Sequence, residues 1–408
     1  MPRVGLATVA REWARIGCIG FGGPPAHIAL LRKLCVQQRG WLSAAEFEDG
    51  IAVTNLLPGP ASTQLAIFCA WRLAGPAGAL VGGACFILPG LVVILGLAEL
   101  FLAAHPPVWV SGAAAGAGAA VPAAAVAAAV GLIPASWRRA GLAASGDAAS
   151  NDAASNDAAS GEAGVRPRWP RWRWIGYLLV GGVAAALAGA FLVLVLAACG
   201  LIELAVRRPA GAGRSRIAAT LPFALAAPAA TGGLLAVAWV AFKVGALSYG
   251  GGFVIIPLMQ RDAVHTYHWM TGAQFLSAVA LGQVTPGPVV QTVAVVGFAA
   301  AGVAGGLLAS LVAFTPSFAM VLGGAPHFAA LRRNGGVQDF LTGAGPAAIG
   351  AIAGSSISLG LELSQLWQVA VLGIAAIWLL ALRKNVVAAI VGAAVLGVIA
   401  ALAGAPLP

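Results

Sequence analysis

A chain of 408 residues with 60% hydrophobic and 9% charged side chains cannot cover a water-soluble surface, which needs about a quarter of its residues charged. Apolar stretches of about 20 residues recur, the length that spans a bilayer as helix, and the alternating pattern of a transmembrane β-barrel is absent. The net charge of +10 reads as positive-inside topology and not as nucleic-acid binding, because the basic residues stand at the ends of apolar spans. The fold class is therefore an all-α polytopic membrane protein, with the lipid bilayer as its partner. The 55 glycines and 24 prolines add a second expectation. Helices should be broken around an internal site, since lipid tolerates freed backbone groups only where protein or a cavity covers them.

The first half takes residues 1–140. Arg11, Glu12 and Arg15 interrupt any apolar core at the N-terminus, so no cleavable signal is expected. One apolar segment is broken at Phe21-Gly22-Gly23-Pro24 and the next at Pro58-Gly59-Pro60. Two fuller spans follow, over 77–103 and 108–134. Residues 141–170 form a linker, expected to be disordered and cytoplasmic, around the low-complexity run from Asp147 to Ser160. Arg166 to Trp174, R-P-R-W-P-R-W-R-W, reads as a Trp/Arg anchor at the membrane interface. The closing helices of the first half lie within 171–216. The second half, 217–408, repeats the order: a break at Tyr249 to Gly252, another at Pro286-Gly287-Pro288, spans over 304–324 and 340–362, and a closing pair over 366–404. Cys18, Cys35, Cys69, Cys85 and Cys199 contain no C-x-x-C pair and read as packing residues.

A shift of about 228 residues superimposes the halves. Arg15-Ile16-Gly17 falls on Lys243-Val244-Gly245, and Phe21-Gly22-Gly23 on Tyr249-Gly250-Gly251. Trp41 falls on Trp269, Pro58-Gly59-Pro60 on Pro286-Gly287-Pro288 and, after a one-residue gap, Gly75 on Gly302 and Pro89 on Pro316. Two tryptophans and two P-G-P triplets in one register are a duplication. The stretch after the first break is basic in half one (Arg32, Lys33, Arg39), whereas the loop between the full spans is basic in half two (Arg332, Arg333). By the positive-inside rule the two halves are expected to insert in opposite senses, as inverted repeats, with an extra crossing near 217–235.

P-G-P ends one helix and opens another. Pro58 and Pro286 lack an N–H and clash with the preceding turn, and Pro60 and Pro288 suit a helix start. Such a start carries open N–H groups and the positive end of a dipole, which an anion satisfies. Asn55, Ser62, Thr63 and Gln64 flank the first triplet; Gln283, Thr285, Gln291 and Thr292 flank the second. The bland reading is a kink whose hydroxyls bond their own backbone. Two symmetric P-G-P breaks favour a binding site, because matched discontinuous helices mark the sites of transporters. Gly22, Gly23, Gly250 and Gly251 suit anion-binding nests or tight helix packing. Arg15 and Lys243 form a symmetric basic pair, and Lys243 lies within an apolar run, where a charge is a functional candidate. Ser43 with Glu46, and Thr271 with Gln274, match capping boxes. Glu48, Asp49 and His27 are the candidates for proton coupling. Catalytic groups, metal ligands and a cofactor are not indicated.

Together these residues resemble the chromate ion transporter family in its long two-domain form. The resemblance rests on F-G-G-P-P-A-H-I (Phe21 to Ile28), N-L-L-P-G-P (Asn55 to Pro60), F-I-L-P-G (Phe86 to Gly90), S-Y-G-G-G (Ser248 to Gly252) and G-Q-V-T-P-G-P (Gly282 to Pro288). It covers nearly the whole chain; Pro25 and the long central linker are its departures. It implies proton-motive-force-driven export of a small oxyanion, chromate, and chromate resistance, in a bacterial inner membrane. Uptake of sulfate or another oxyanion, an anion channel and, behind both, a membrane-bound reductase are the competing readings, and a homodimer is left open.

Overall fold

The computed structural model describes residues 4–55, 57–103, 105–145, 171–187, 192–207, 233–248, 253–324 and 334–408. Every regular element among them is helical. In half one, α1 (Leu6–Ile19), α2 (Pro24–Arg32, continued by a π-turn, Lys33–Gln38), α3 (Ala44–Thr54), α4 (Ala61–Phe101) and α5 (Val108–Ser145) are followed by the closing helices α6 (Arg171–Leu187) and α7 (Leu192–Arg207). Half two has α8 (Leu234–Leu247), α9 (Ile256–Gln260, continued by a π-turn, Arg261–Thr266), α10 (Gly272–Val284), α11 (Thr292–Gly324), α12 (Gly335–Leu361), α13 (Leu366–Ala376) and α14 (Val386–Leu402). The π-turns fall at matching places, as do the two capping boxes, both of which form. α5 runs on to Ser145, past residue 141; the low-complexity run and most of 217–235 lie outside the described residues.

Among the described residues, four helical stretches are long and apolar enough to cross a membrane: Ala61–Phe101, Val108–Arg138, Val289–Gly324 and Gly335–Leu361. The first and third are each broken again, at Gly75 (φ 63°) and Gly302 (φ 61°). Helices before the breaks are short. α1 has 14 residues and α3 has 11, about 21 Å and 17 Å at 1.5 Å per residue, less than the roughly 30 Å of hydrocarbon.

These short helices pair as antiparallel hairpins. In one, α3 turns at P-G-P into the first part of α4. Gly50 faces Phe68 and Leu65 across it, and Glu46 and Arg72 make an ion pair at its base. In the other, α1 turns at Gly20–Gly23 into α2, and Glu12 meets Arg39 at 2.9 Å near its base. Arg32 and Glu48 join the two bases. Charge therefore collects at the open ends of the hairpins, leaving the tips uncharged.

Glycines set the long-helix contacts. Gly17 of α1 abuts the carbonyl of Phe86, and its repeat mate Gly245 of α8 abuts that of Ala313, in each case just before the proline of the long helix (Pro89, Pro316). The closing helices are exchanged between halves. α6 lies on α12 of the other half, with Gly350 and Gly354 against Leu178 and Gly182. α14 lies on α5, with Gly112 and Gly116 against Gly397 and Ala393. Small residues four apart let helix backbones touch where lipid offers no hydrophobic drive. A buried Glu203 fastens the α6–α7 pair, bound by Arg173 at 2.6 Å and Arg207 at 2.5 Å, and Arg207 reaches Asp339 of α12 at 3.2 Å.

This packing makes a sharp prediction. A β-carbon at Gly245 would stand 1.9 Å from the Ala313 carbonyl oxygen, whereas one at Gly96 meets nothing within 4 Å. Gly245→Ala should destabilise the purified protein by about 1–3 kcal/mol and Gly96→Ala should not. Thermal unfolding in detergent checks this, and a Gly245→Ala protein as stable as the parent would refute the helix contact.

Candidate functional site

The two halves meet tip to tip. Pro58-Gly59-Pro60 ends the α3 turn with Gly59 at φ 119°, and Pro286-Gly287-Pro288 repeats it with Gly287 at φ 98°, a left-handed conformation that glycine adopts without steric cost. The N–H of Gly59 donates to the carbonyl of Ser248, at the end of α8, at 2.6 Å. The N–H of Gly287 donates to the carbonyl of Gly20, at the end of α1, at 3.0 Å. Gly20 and Ser248 are repeat mates, so each half's P-G-P tip caps the broken helix of the other. Thr63 and Gln291 make the first backward hydrogen bonds of their helices, onto Pro60 and Pro288. The preceding amides therefore point out of the helix ends toward this junction.

Around the junction lies a set of buried polar atoms without partners. Thr63 Oγ1, Gln64 Oε1, Ser248 Oγ, Gln283 Nε2, Gln291 Oε1 and Ser317 Oγ are sealed from solvent and unbonded; the one other such atom among the described residues is Arg72 Nε, at the hairpin base. Native interiors hold few such atoms, each about 1–3 kcal/mol unfavourable. Six at one junction, all uncharged, describe a site shaped for something polar. Gln64 Nε2 is held by Pro58 O at 2.7 Å and Gln291 Nε2 by Ile87 O at 2.6 Å. His27 is fully buried beside them. Its Nε2 lies 2.9 Å from the Gly20 carbonyl and its Nδ1 3.2 Å from Ser62 Oγ, with the Phe86 ring edge-on at 5.0 Å.

The expected site residues divide. Gly23, Gly59, Pro60, Ser62, Thr63, Gln64, Gln283, Gly287, Pro288 and Gln291 are brought together here, with Gly23 against Val289. Thr285 and Thr292 are also buried, but their hydroxyls donate to Leu281 O and Val289 O, as the kink reading has it. Gly22, Pro58 and Asn55 are exposed on the turns, and Asn55 caps α3. Gly250 and Gly251 lie outside the described residues. Arg15 is exposed, 4.0 Å from Glu12. Lys243 is mostly buried but engaged: its Nζ lies 2.5 Å from Asp262 Oδ2, the two side chains being 16% and 11% exposed. Among the proton-coupling candidates, Glu48 pairs with Arg32 on the surface and Asp49 is exposed, whereas His27 touches the junction.

Ser248, Ser317 and Gly90 were not expected. Gly90 and Ser317 follow the repeat-related prolines Pro89 and Pro316, and each lies against the P-G-P turn of the other half. A β-carbon at Gly90 would stand 2.1 Å from Pro286 O, and one at Gly59 3.2 Å from Ser317 Oγ. The register of the repeat, carried past Pro89, was the available signal.

Comparison with known proteins decides the family. The chain matches the chromate transporter family over residues 7–204 and 235–398, one stretch in each half. It belongs to that family. The transporter is 29% identical to the chromate transport protein of Cupriavidus metallidurans over 88% of this chain and 83% of that one. It is 27% identical to the probable chromate transport protein of Synechococcus elongatus, over 88% and 86%, and 24% identical to an uncharacterized transporter of Methanocaldococcus jannaschii, over 79% and 76%. No solved structure matches. The transporter is a multi-pass protein of the inner membrane, built from two homologous halves.

The Lys243–Asp262 pair yields a test. Removing one member of a buried ion pair strands the other charge, a loss of about 3–5 kcal/mol. Lys243→Ala should lower the transporter's stability by roughly that amount, and Lys243→Ala with Asp262→Ala should regain most of it. Unfolding of both variants in detergent checks this; a double variant as unstable as the single one would show that the pair is not what holds Lys243.

Proposed function

We propose that the transporter exports chromate from the cytoplasm, driven by the proton motive force, and so confers chromate resistance. The observation that carries this reading is the junction of two interrupted helices, one from each half, lined by unbonded buried polar atoms. Backbone amides at helix starts, hydroxyls and the Gln283 amide are the donors that replace the water around an oxyanion. The junction is sealed, so loading requires the crossed bonds of Gly59 to Ser248 and of Gly287 to Gly20 to part on one side at a time. We take the halves to be inverted repeats, which fits the swapped basic loops and the reciprocal tips and gives alternating access by rocking one half against the other. An inside-negative potential favours expulsion of anions by about 2.3 kcal/mol per charge per 100 mV. Sulfate, equal in shape and charge, is the rival substrate.

Energised inverted vesicles should accumulate radiolabelled chromate saturably, and a protonophore should stop it. Ohmic current without saturation would mean a channel, and loss of chromate from such vesicles would mean uptake. The unbonded atoms give the decisive variants. Thr63→Val and Gln283→Leu remove groups that bond nothing in the protein, so they should not lower its amount or stability while cutting chromate transport more than about tenfold. Undiminished transport in both would remove the junction as the site.

A further inference from the structure

The junction holds no fixed cation among the described residues: Arg15 is exposed and Lys243 is tied to Asp262. A doubly charged guest held by neutral groups alone is costly in a dry site. One group there can acquire a charge. His27 comes from α2 and is packed against α1 and α4. The Gly20 carbonyl only accepts, so Nε2 carries a proton; with the ring neutral, Nδ1 accepts from the Ser62 hydroxyl. The Phe86 ring lies edge-on against the imidazole, and no carboxylate or ammonium among the described residues faces it from α1, α2 or α4.

Adding a proton at Nδ1 changes three things at once. The imidazolium can no longer accept from Ser62, so the Ser62 hydroxyl is freed to turn its hydrogen into the junction. The Nδ1 proton gains Ser62 Oγ as its acceptor. A positive charge then stands one residue inside the start of α4, behind the open amides of that helix end. The same carbonyl of Gly20 also receives the Gly287 N–H of the other half, so the ring sits directly on one of the two crossed bonds. The repeat offers no second copy: by the shift that aligns the halves, Ile255 and Val290 stand where half one has His27 and Ser62.

We infer that His27 is the switchable cation of the anion site, neutral when the junction is closed and empty and protonated when an oxyanion is bound. This rests on the junction being the oxyanion site. Proton and anion then stabilise each other, and binding must draw a proton from solution; the pair carries one net negative charge, so the membrane potential, not the pH gradient, drives its export.

The test uses the full chain purified in lipid nanodiscs, with radiolabelled chromate as the probe and the same pH throughout each sample. From mildly alkaline to mildly acidic pH, chromate should bind roughly tenfold more tightly, the scale on which an opposite charge within about 4–6 Å moves a titration. His27→Gln keeps a donor for Gly20 and an acceptor for Ser62 but cannot be charged. It should lose most of that gain, and comparison at equal pH cancels protonation of chromate itself. In a weakly buffered sample the parent should take up protons when sulfate is added, an anion that brings no titration of its own near neutral pH. A His27→Gln protein with an undiminished pH gain, or a parent that binds sulfate without proton uptake, overturns the assignment. If the parent binds neither anion at any pH, the oxyanion site itself is wrong.

Discussion

Backbone groups released at a broken helix cannot be left to hydrocarbon, and this transporter answers that constraint by crossing its halves. The amide of Gly59 goes to the carbonyl of Ser248 and the amide of Gly287 to that of Gly20. Each bond joins the turn of one half to the helix end of the other. Neither half could keep its P-G-P turn satisfied alone, because the acceptor it needs is supplied by its duplicate. The interruption of the helices and the association of the halves are therefore one feature.

The exchanged closing helices extend the same logic. α6 and α7 follow half one in the chain but rest on α12, and α13 and α14 follow half two but rest on α5. The glycine seams on both sides bring backbones within contact of carbonyl oxygens, a fit that depends on shape since lipid and leucine are equally apolar. Glycine seams between long helices and crossed bonds at the junction are thus two separate kinds of contact between the halves. The tips carry no charge of their own, whereas the hairpin bases carry Glu12, Arg39, Glu46 and Arg72 in pairs. Their charges meet water, and their tips can sink into the protein.

Much of this was legible in the chain. Two P-G-P triplets, two capping boxes and two glycine runs in one register fixed the duplication and located the junction. What the sequence could not show was partnership across the halves. Lys243 reads as an unpaired charge in an apolar run because Asp262 lies 19 residues away, across a hairpin turn. Arg15 reads as its equal by register, yet half one has Leu34 where half two has Asp262, and Arg15 turns outward to Glu12. The breaks at Gly75 and Gly302 were seen as matched landmarks and not as breaks; a run of Ala-Gly-Pro at 74–76 carried that signal in half one alone. Ser248 and Ser317 reach the junction from helices whose polar residues, taken singly, look like ordinary backbone-bonded hydroxyls.

The duplicates share a scaffold and differ in their chemistry, and the difference is systematic. Where half one places an imidazole and a hydroxyl, His27 and Ser62, half two places Ile255 and Val290; where half two holds Lys243 against Asp262, half one has Arg15 and Leu34, with no acidic partner in that place. Thr63 and Gln64 are mirrored as Gln291 and Thr292, the amide moving by one position. With the halves as inverted repeats, as proposed, a perfectly symmetric junction would present the same face to both sides of the membrane and could not assign a direction to a charged guest by its own contacts. On the proposed mechanism, symmetric tips permit the site to open either way, because the same bond type must break on each side. Unequal polar groups behind those tips give the two openings unequal energies. Under the proposed alternating access, the scaffold supplies the alternation, and the departures from the repeat supply whatever bias the membrane potential does not.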